Sequence, residues 1–382
     1  MRRFLLTSIA LALLIITACA IRLEETTTLS LARLEPDTGA YFGVNLDWGQ
    51  DSATAFNQRL GIPAAVYVNF FRFPFSSAEL NNLNGFIEEV AQQPGIALIT
   101  LEPHDGLNTV TPTVADDLAK LLATYNQSGV PILVRFAHEM NGSWYSWSQS
   151  PTEYVAAFRT LAEAIHSQAH LTAMLWAPNY GGGYPFAGGR YQALPDSSDF
   201  QLLDTNRDGR LDMLDDMYAP YYPGDDVVDW VGMSLYHWGS QYPWGENEVP
   251  EKGSFVARIT GTYAGLEGDQ RGVPNFYQVY VEQHHKPMAI TETAALYNPA
   301  VGGDSEQLIK QTWWRQVFST EVARDFPRIK MINWFEWRKF ESEVGGVIDW
   351  TVTFNPELAQ AFLNDLPRSH LIFAADLKEI SP

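Results

Sequence analysis

Eight nearly unbroken apolar runs recur along the chain: Ala40–Trp48, Ala64–Phe73, Ile96–Pro103, Pro131–Glu139, Leu171–Asn179, Val228–Trp238, Pro287–Thr293 and Ile329–Trp337. Runs of this kind, without regular polar alternation, are expected of parallel strands buried on both faces. Between them the period changes. Tyr154, Phe158, Leu161 and Ile165 are spaced to share one helical face, and Ser150 and Pro151 ahead of them supply an N-cap and first-turn proline. Ser305 to Phe326 carries Ile309, Trp313 and Val317 at similar spacing and predicts another helix. Strands alternating with helices predict an α/β fold, a (β/α)8 TIM barrel. A doubly wound open sheet is the alternative, weakened because no Gly-rich dinucleotide fingerprint follows the first strand. Nothing between residues 39 and 382 reads as a linker, so one domain is expected there.

The N-terminus has a different pattern. Arg2 and Arg3 precede an apolar run from Phe4 to Ile16, too short to span a bilayer and typical of a signal peptide. Ile16-Thr17-Ala18-Cys19 resembles a bacterial lipoprotein box, which implies that residues 1–19 act as the signal and Cys19 becomes a lipidated N-terminus. An ordinary signal peptide cut near Ala20 is the alternative. Cys19 is the only cysteine, so an intramolecular disulfide is excluded. Residues 20–38, polar and Thr-rich, read as a tether. The expected location is outside the cytoplasm, with membrane contact through the lipid alone.

Charge narrows the partners. The net charge of −20 repels nucleic acid and anionic headgroups and suits a neutral polymer. Aromatic residues make up 13% of the chain, including 12 Trp and 17 Tyr, enough to line a cleft that stacks sugar rings. A monomer is expected.

Two strings carry the chemistry. Pro131 to Phe136 leads into Ala137-His138-Glu139-Met140-Asn141-Gly142, then Trp144 and Trp147. Pro287 to Thr291 leads into Glu292. Each is a strand ending in a carboxylate, which in a barrel puts the acid on the catalytic face. On the fourth and seventh strands, Glu139 and Glu292 lie across the barrel mouth from one another. Glycoside hydrolysis needs two carboxyl groups flanking one bond, one protonated and one ionised, and needs no cofactor for the chemistry. Arg135 shares strand parity with Glu139 and is expected inside the barrel, where a buried guanidinium requires acceptors. The His284-His285 pair precedes a strand and reads as helix-end polarity rather than a metal site.

The string His138-Glu139-Met140-Asn141-Gly142 with Trp144 resembles the acid/base signature of glycoside hydrolase family 26, of the retaining (β/α)8 clan. The resemblance runs from about Gly39 to Pro367. It implies Glu139 as acid/base, Glu292 as nucleophile and a covalent glycosyl-enzyme, with β-1,4-mannan the expected substrate. Mixed-linkage β-glucan and β-1,3-xylan are the alternatives within the family. A non-catalytic carbohydrate-binding lipoprotein is the alternative outside it. Tyr236 looks like the family tyrosine that hydrogen-bonds the nucleophile, Trp334 like the aromatic floor under the sugar, and His138 and Trp144 like substrate contacts. His104 and Trp176 also fall at strand ends and are expected to touch substrate.

A second motif lies between the fifth and sixth strands. Asp204, Asn206, Asp208, Gly209, Asp212 and Asp215 match an EF-hand loop, with Asp for Glu at the last position as in dockerin loops. Arg210 is expected to add its backbone carbonyl to a structural Ca²⁺ site.

Overall fold

The computed structural model describes residues 30–377. The expected signal segment and the lipidation position Cys19 lie outside the described residues. Among the described residues, no helix is long and apolar enough to cross a membrane.

Eight parallel strands close into a barrel: β1 Ala40–Leu46, β2 Val66–Arg72, β3 Ile96–Glu102, β4 Ile132–Phe136, β5 Thr172–Trp176, β6 Trp230–Ser234, β7 Met288–Thr293 and β8 Ile329–Glu336. Neighbours pair in chain order, and β8 pairs back onto β1 to close the ring. All eight coincide with the apolar runs. Several runs overshoot because the apolar character continues past the last ladder bond. Beyond Phe136, for example, Ala137 and Glu139 both take positive φ, and the chain turns out of the sheet.

The helices start where capping chemistry allows. Ser52, Ser76, Thr111 and Ser305 each accept a backbone N–H from the first turn of the helix that follows. The helix Pro151–Gln168 buries Tyr154, Phe158, Leu161 and Ile165, as the spacing predicts. The expected helix from Ser305 to Phe326 is two helices, Glu306–Val317 and Thr320–Asp325. Ser319 breaks it by capping the second through Val322 N.

Two apolar layers result. Tyr41, Val66, Leu98, Leu133, Trp230 and Met331 fill the barrel, and a larger shell packs helices on its outside. Above the inner layer, toward the C-terminal ends of the strands, the inward side chains become polar: Asn45, Arg135, Ser234, Glu292 and Asn333 are all buried there. After β8 an antiparallel hairpin, β9 Arg338–Glu341 and β10 Gly346–Asp349, follows.

Candidate active site

A cleft of about 640 Å³ opens over the polar end of the barrel, with Glu139 and Glu292 both in its lining. This is the size of a site that encloses a small ligand or part of a polymer.

Glu292 reaches the cleft through an irregularity. Ala289 sits in the barrel interior, so strict alternation would send Thr291 and Thr293 inward and Glu292 outward. The register slips by one residue between Ile290 and Thr293 against β8, and again against β6. This bulge turns Glu292 inward, while Thr293 faces the outer shell and accepts from the Trp313 indole at 2.9 Å. Inside, the Arg135 guanidinium pairs with Glu292 Oε1, and the Tyr236 hydroxyl donates to Glu292 Oε2 at 2.5 Å. Arg135 also donates to Ser234 Oγ at 2.8 Å and has no solvent exposure. Both Glu292 oxygens therefore face donors, an arrangement made for a carboxylate.

Glu139 has the opposite surroundings. The Trp144 indole donates to its Oε2 at 3.2 Å, and Ser234 adds a hydrogen bond, but no cation pairs with it directly as Arg135 pairs with Glu292. Burial, and then the negative charge of Glu292, push its pKa up to about 7; Arg135, Ser234 and Trp144 pull in the other direction. Its backbone has φ 55, a left-handed conformation that a non-glycine residue adopts only under constraint. The constraint is visible: Glu139 N donates to Ala177 O at 3.0 Å, and Glu139 O accepts from Gly142 N at 2.9 Å. The site thus holds two carboxyl groups that feel each other's charge, one surrounded by donors and one poorly solvated.

His138 is buried and neutral, since burial and the Arg135 charge hold its pKa well below the usual imidazole value. Its Nε2 lies 3.2 Å from the Tyr145 hydroxyl, and both rings line the cleft. Trp144, 38% exposed, stands at the rim.

Three expected contacts are placed elsewhere. Trp334 is fully buried and points outward, against Trp314, Phe318 and Phe362. Its indole donates to Trp350 O at 3.2 Å, and Trp350 is the ring that lines the cleft beside Tyr236. Trp176 also points outward, packing on Tyr222, Phe276 and Tyr280. His104 is outside the cleft lining and pairs at 3.2 Å with Glu102, which is inside it. The cleft residues that the sequence did not single out include Glu102, Asn69, Phe335, Trp337 and Trp350. Glu102 ends β3 and had the same strand-end signal as Glu139. Trp350 had none, because the buried Glu336 carboxylate brings that segment back by accepting Val352 N and Thr353 N, both at 2.8 Å.

In the 204–215 loop the acidic side chains cap the loop's own backbone. Asp204 accepts Asp208 N at 3.0 Å and Gly209 N at 2.9 Å, and Asp215 accepts Asp212 N at 3.0 Å. Asn206 accepts Asp208 N, and Asp208 accepts Arg210 N. Among the described residues, no three His, Cys, Asp or Glu side chains converge in a way that could hold a metal ion.

The profile of glycosyl hydrolase family 26 matches residues 84–191, a stretch that contains His138, Glu139 and Trp144. Glu292 lies beyond it. The chain is 22% identical over 301 residues to Endoglucanase H of Acetivibrio thermocellus, covering 75% of this chain and 26% of that protein. It is 27% identical over 139 residues to the mannan endo-1,4-β-mannosidase of Bacillus subtilis, covering 34% of this chain and 29% of that one. The matches therefore span less than a third of either relative. A modular endo-β-1,4-mannanase from Cellulomonas fimi shares the fold, with TM-score 0.56 and 16% identity over 92% of this chain and 79% of that one.

Proposed function

We propose that the chain is a retaining glycoside hydrolase acting inside neutral β-linked polysaccharide, with β-1,4-mannan the first substrate. The observation that carries this is the contrast between the two carboxyl groups in one cleft. Glu139, with its pKa pushed up to about 7, keeps a proton to give to the glycosidic oxygen as the bond breaks. Glu292, oriented by Arg135 and Tyr236, attacks the anomeric carbon and forms a glycosyl ester. Esterification removes the Glu292 charge, one of the two causes holding the Glu139 proton. Glu139, ionised once it has given its proton to the leaving oxygen, is therefore less strained as a carboxylate and takes a proton from the water that hydrolyses the ester, releasing Glu292 as a carboxylate. The family 26 stretch around Glu139 and the mannosidase relative support this reading.

A β-glucan is the second substrate, favoured because Endoglucanase H matches over more of the chain than the mannosidase does. Incubation with soluble β-mannan, mixed-linkage β-glucan and β-1,3-xylan, with reducing ends measured over time, separates the substrates. No release from any of them refutes the hydrolase reading. The reading also includes an extracytoplasmic location with a lipid on Cys19, and a structural Ca²⁺ on the 204–215 loop.

A further inference from the structure

Glu292 faces the cleft because β7 carries one extra residue. Against β6, Ile290 pairs with Met233 and Glu292 with Ser234, which leaves Thr291 without an opposite number. Against β8, Ile290 pairs with Ile332 and Thr293 with Trp334, so Asn333 alone stands opposite Thr291 and Glu292. Two residues facing one make a β-bulge, and the ladder is disrupted there.

Asn333 meets the bulge with its side chain. Its Nδ2 donates to Thr291 O at 3.2 Å, the carbonyl of the peptide that joins Thr291 to Glu292. A strand on each side makes room. On β1, Gly43 lies beside Asn333, and a Cβ there would collide with Asn333 Oδ1. On β6, a Cβ at Gly232 would stand 2.9 Å from Thr291 Cγ2. Outside the barrel, the Trp313 indole holds Thr293, the far end of the bulge.

Core stability does not ask for an amide at this position. Asn333 has no solvent exposure, and its Oδ1 has no hydrogen-bond partner in the protein. A buried acceptor left unpaired costs stability, and an apolar side chain of the same shape avoids that cost. Asn333 is not part of the cleft lining either, so it does not touch the ligand space. Its one directional contact is to the carbonyl immediately before Glu292. Arg135 and Tyr236 fix the Glu292 side chain, but neither fixes the backbone that carries it.

Resting on the hydrolase reading, we infer that Asn333 is a positioning residue for Glu292, bracing the bulge that turns the carboxylate into the cleft. Without the brace, β7 relaxes toward strict alternation, which sends Glu292 outward. The rate is sensitive to this, because a reacting group misplaced by about 1 Å costs roughly 100-fold.

The test uses the full chain, a β-glycan that it cleaves, and the 2-deoxy-2-fluoro glycosyl fluoride of that sugar. Asn333→Leu keeps the volume and Asn333→Ala leaves a cavity, but both lack the donor. Each should lower kcat by about tenfold or more with KM nearly unchanged. Each should also slow the labelling of Glu292 by the same factor, while all of the protein is labelled in the end. The melting midpoints should part, with the Leu variant near the parent and the Ala variant below it. Equal rate losses then tie the effect to the hydrogen bond and not to packing. Thr100→Val, which removes another buried barrel hydroxyl, should leave kcat at the parent value. A lower melting midpoint with the labelling rate unchanged, or a rate loss in the Ala variant alone, overturns the inference. Crystal structures of the parent and Asn333→Leu give a readout that needs no turnover. If no glycan is cleaved but the variant separates Glu292 from Tyr236, the hydrolase reading fails and the brace stands. If Glu292 keeps its Arg135 and Tyr236 contacts in the variant, the brace fails whatever the hydrolysis result.

Discussion

Replacing Glu139 by glutamine should make the protein more stable at alkaline pH while destroying its activity. The folded chain raises the Glu139 pKa from 4.5 to about 7, chiefly by burial. In the unfolded chain the group titrates near its ordinary value. Below that value both states hold the proton and Glu139 contributes nothing. Between 4.5 and about 7 the folded state keeps a proton that the unfolded state has lost, so stability falls as pH rises. Above that window the folded state bears the cost of a poorly solvated carboxylate in the cleft wall, at most about 3 kcal/mol because Glu139 is only half-buried. Glutamine is neutral throughout and can still accept from the Trp144 indole. The gain should be near zero at pH 4 and up to about 3 kcal/mol at pH 8.5, which in a domain of this size raises the melting midpoint by several degrees. Paired melting curves of parent and Glu139→Gln across that range check it. A gain independent of pH, or a loss at pH 8.5, refutes the assignment of a poorly solvated, proton-holding Glu139.

The other predictions concern the acid limb and the two untried sites. The rate of the parent should fall as pH rises through about 7, when Glu139 loses its proton, and Trp144→Phe should move that limb upward by about half a pH unit, because a lost weak hydrogen bond is worth roughly 0.7 kcal/mol. A kcat/KM profile in which Trp144→Phe leaves the limb in place removes the indole from that role. Cys19→Ser should shift the protein out of the membrane fraction or block its processing; unchanged fractionation ends the lipoprotein reading. Ca²⁺ in excess over EDTA should raise the melting midpoint, growing with the logarithm of free Ca²⁺, and Asp208→Ala should abolish the rise. Identical midpoints leave the 204–215 carboxylates as caps of their own loop.

The barrel was readable because its strands are buried on both faces and so stand out as unbroken apolar runs. The same property hid which way individual side chains point. In β8 every residue is buried, so nothing in the pattern separates Trp334, which faces the helices, from Phe335, which faces the cleft. β5 hid Trp176 in the same way. Strand parity puts Arg135 inside the barrel, and Glu292 is the acceptor its buried guanidinium requires; Arg135 itself is not in the cleft lining, where a substrate contact was expected. The inward turn of Glu292 depends on a register slip against two neighbouring strands, a property of pairing that no single segment carries. Trp350 is brought to the cleft by Glu336 from a different part of the chain, and that contact is equally invisible locally.

The central claim is that Glu292 attacks sugar while Glu139 holds the proton. The direct measurement is the intact mass of the protein after incubation with a 2-deoxy-2-fluoro glycosyl fluoride of the cleaved sugar, followed by peptide mapping. The account predicts one added fluoroglycosyl group, on the peptide containing Glu292, and none on Glu292→Ala. An adduct on Glu139, or an active enzyme that accumulates no adduct, would contradict it.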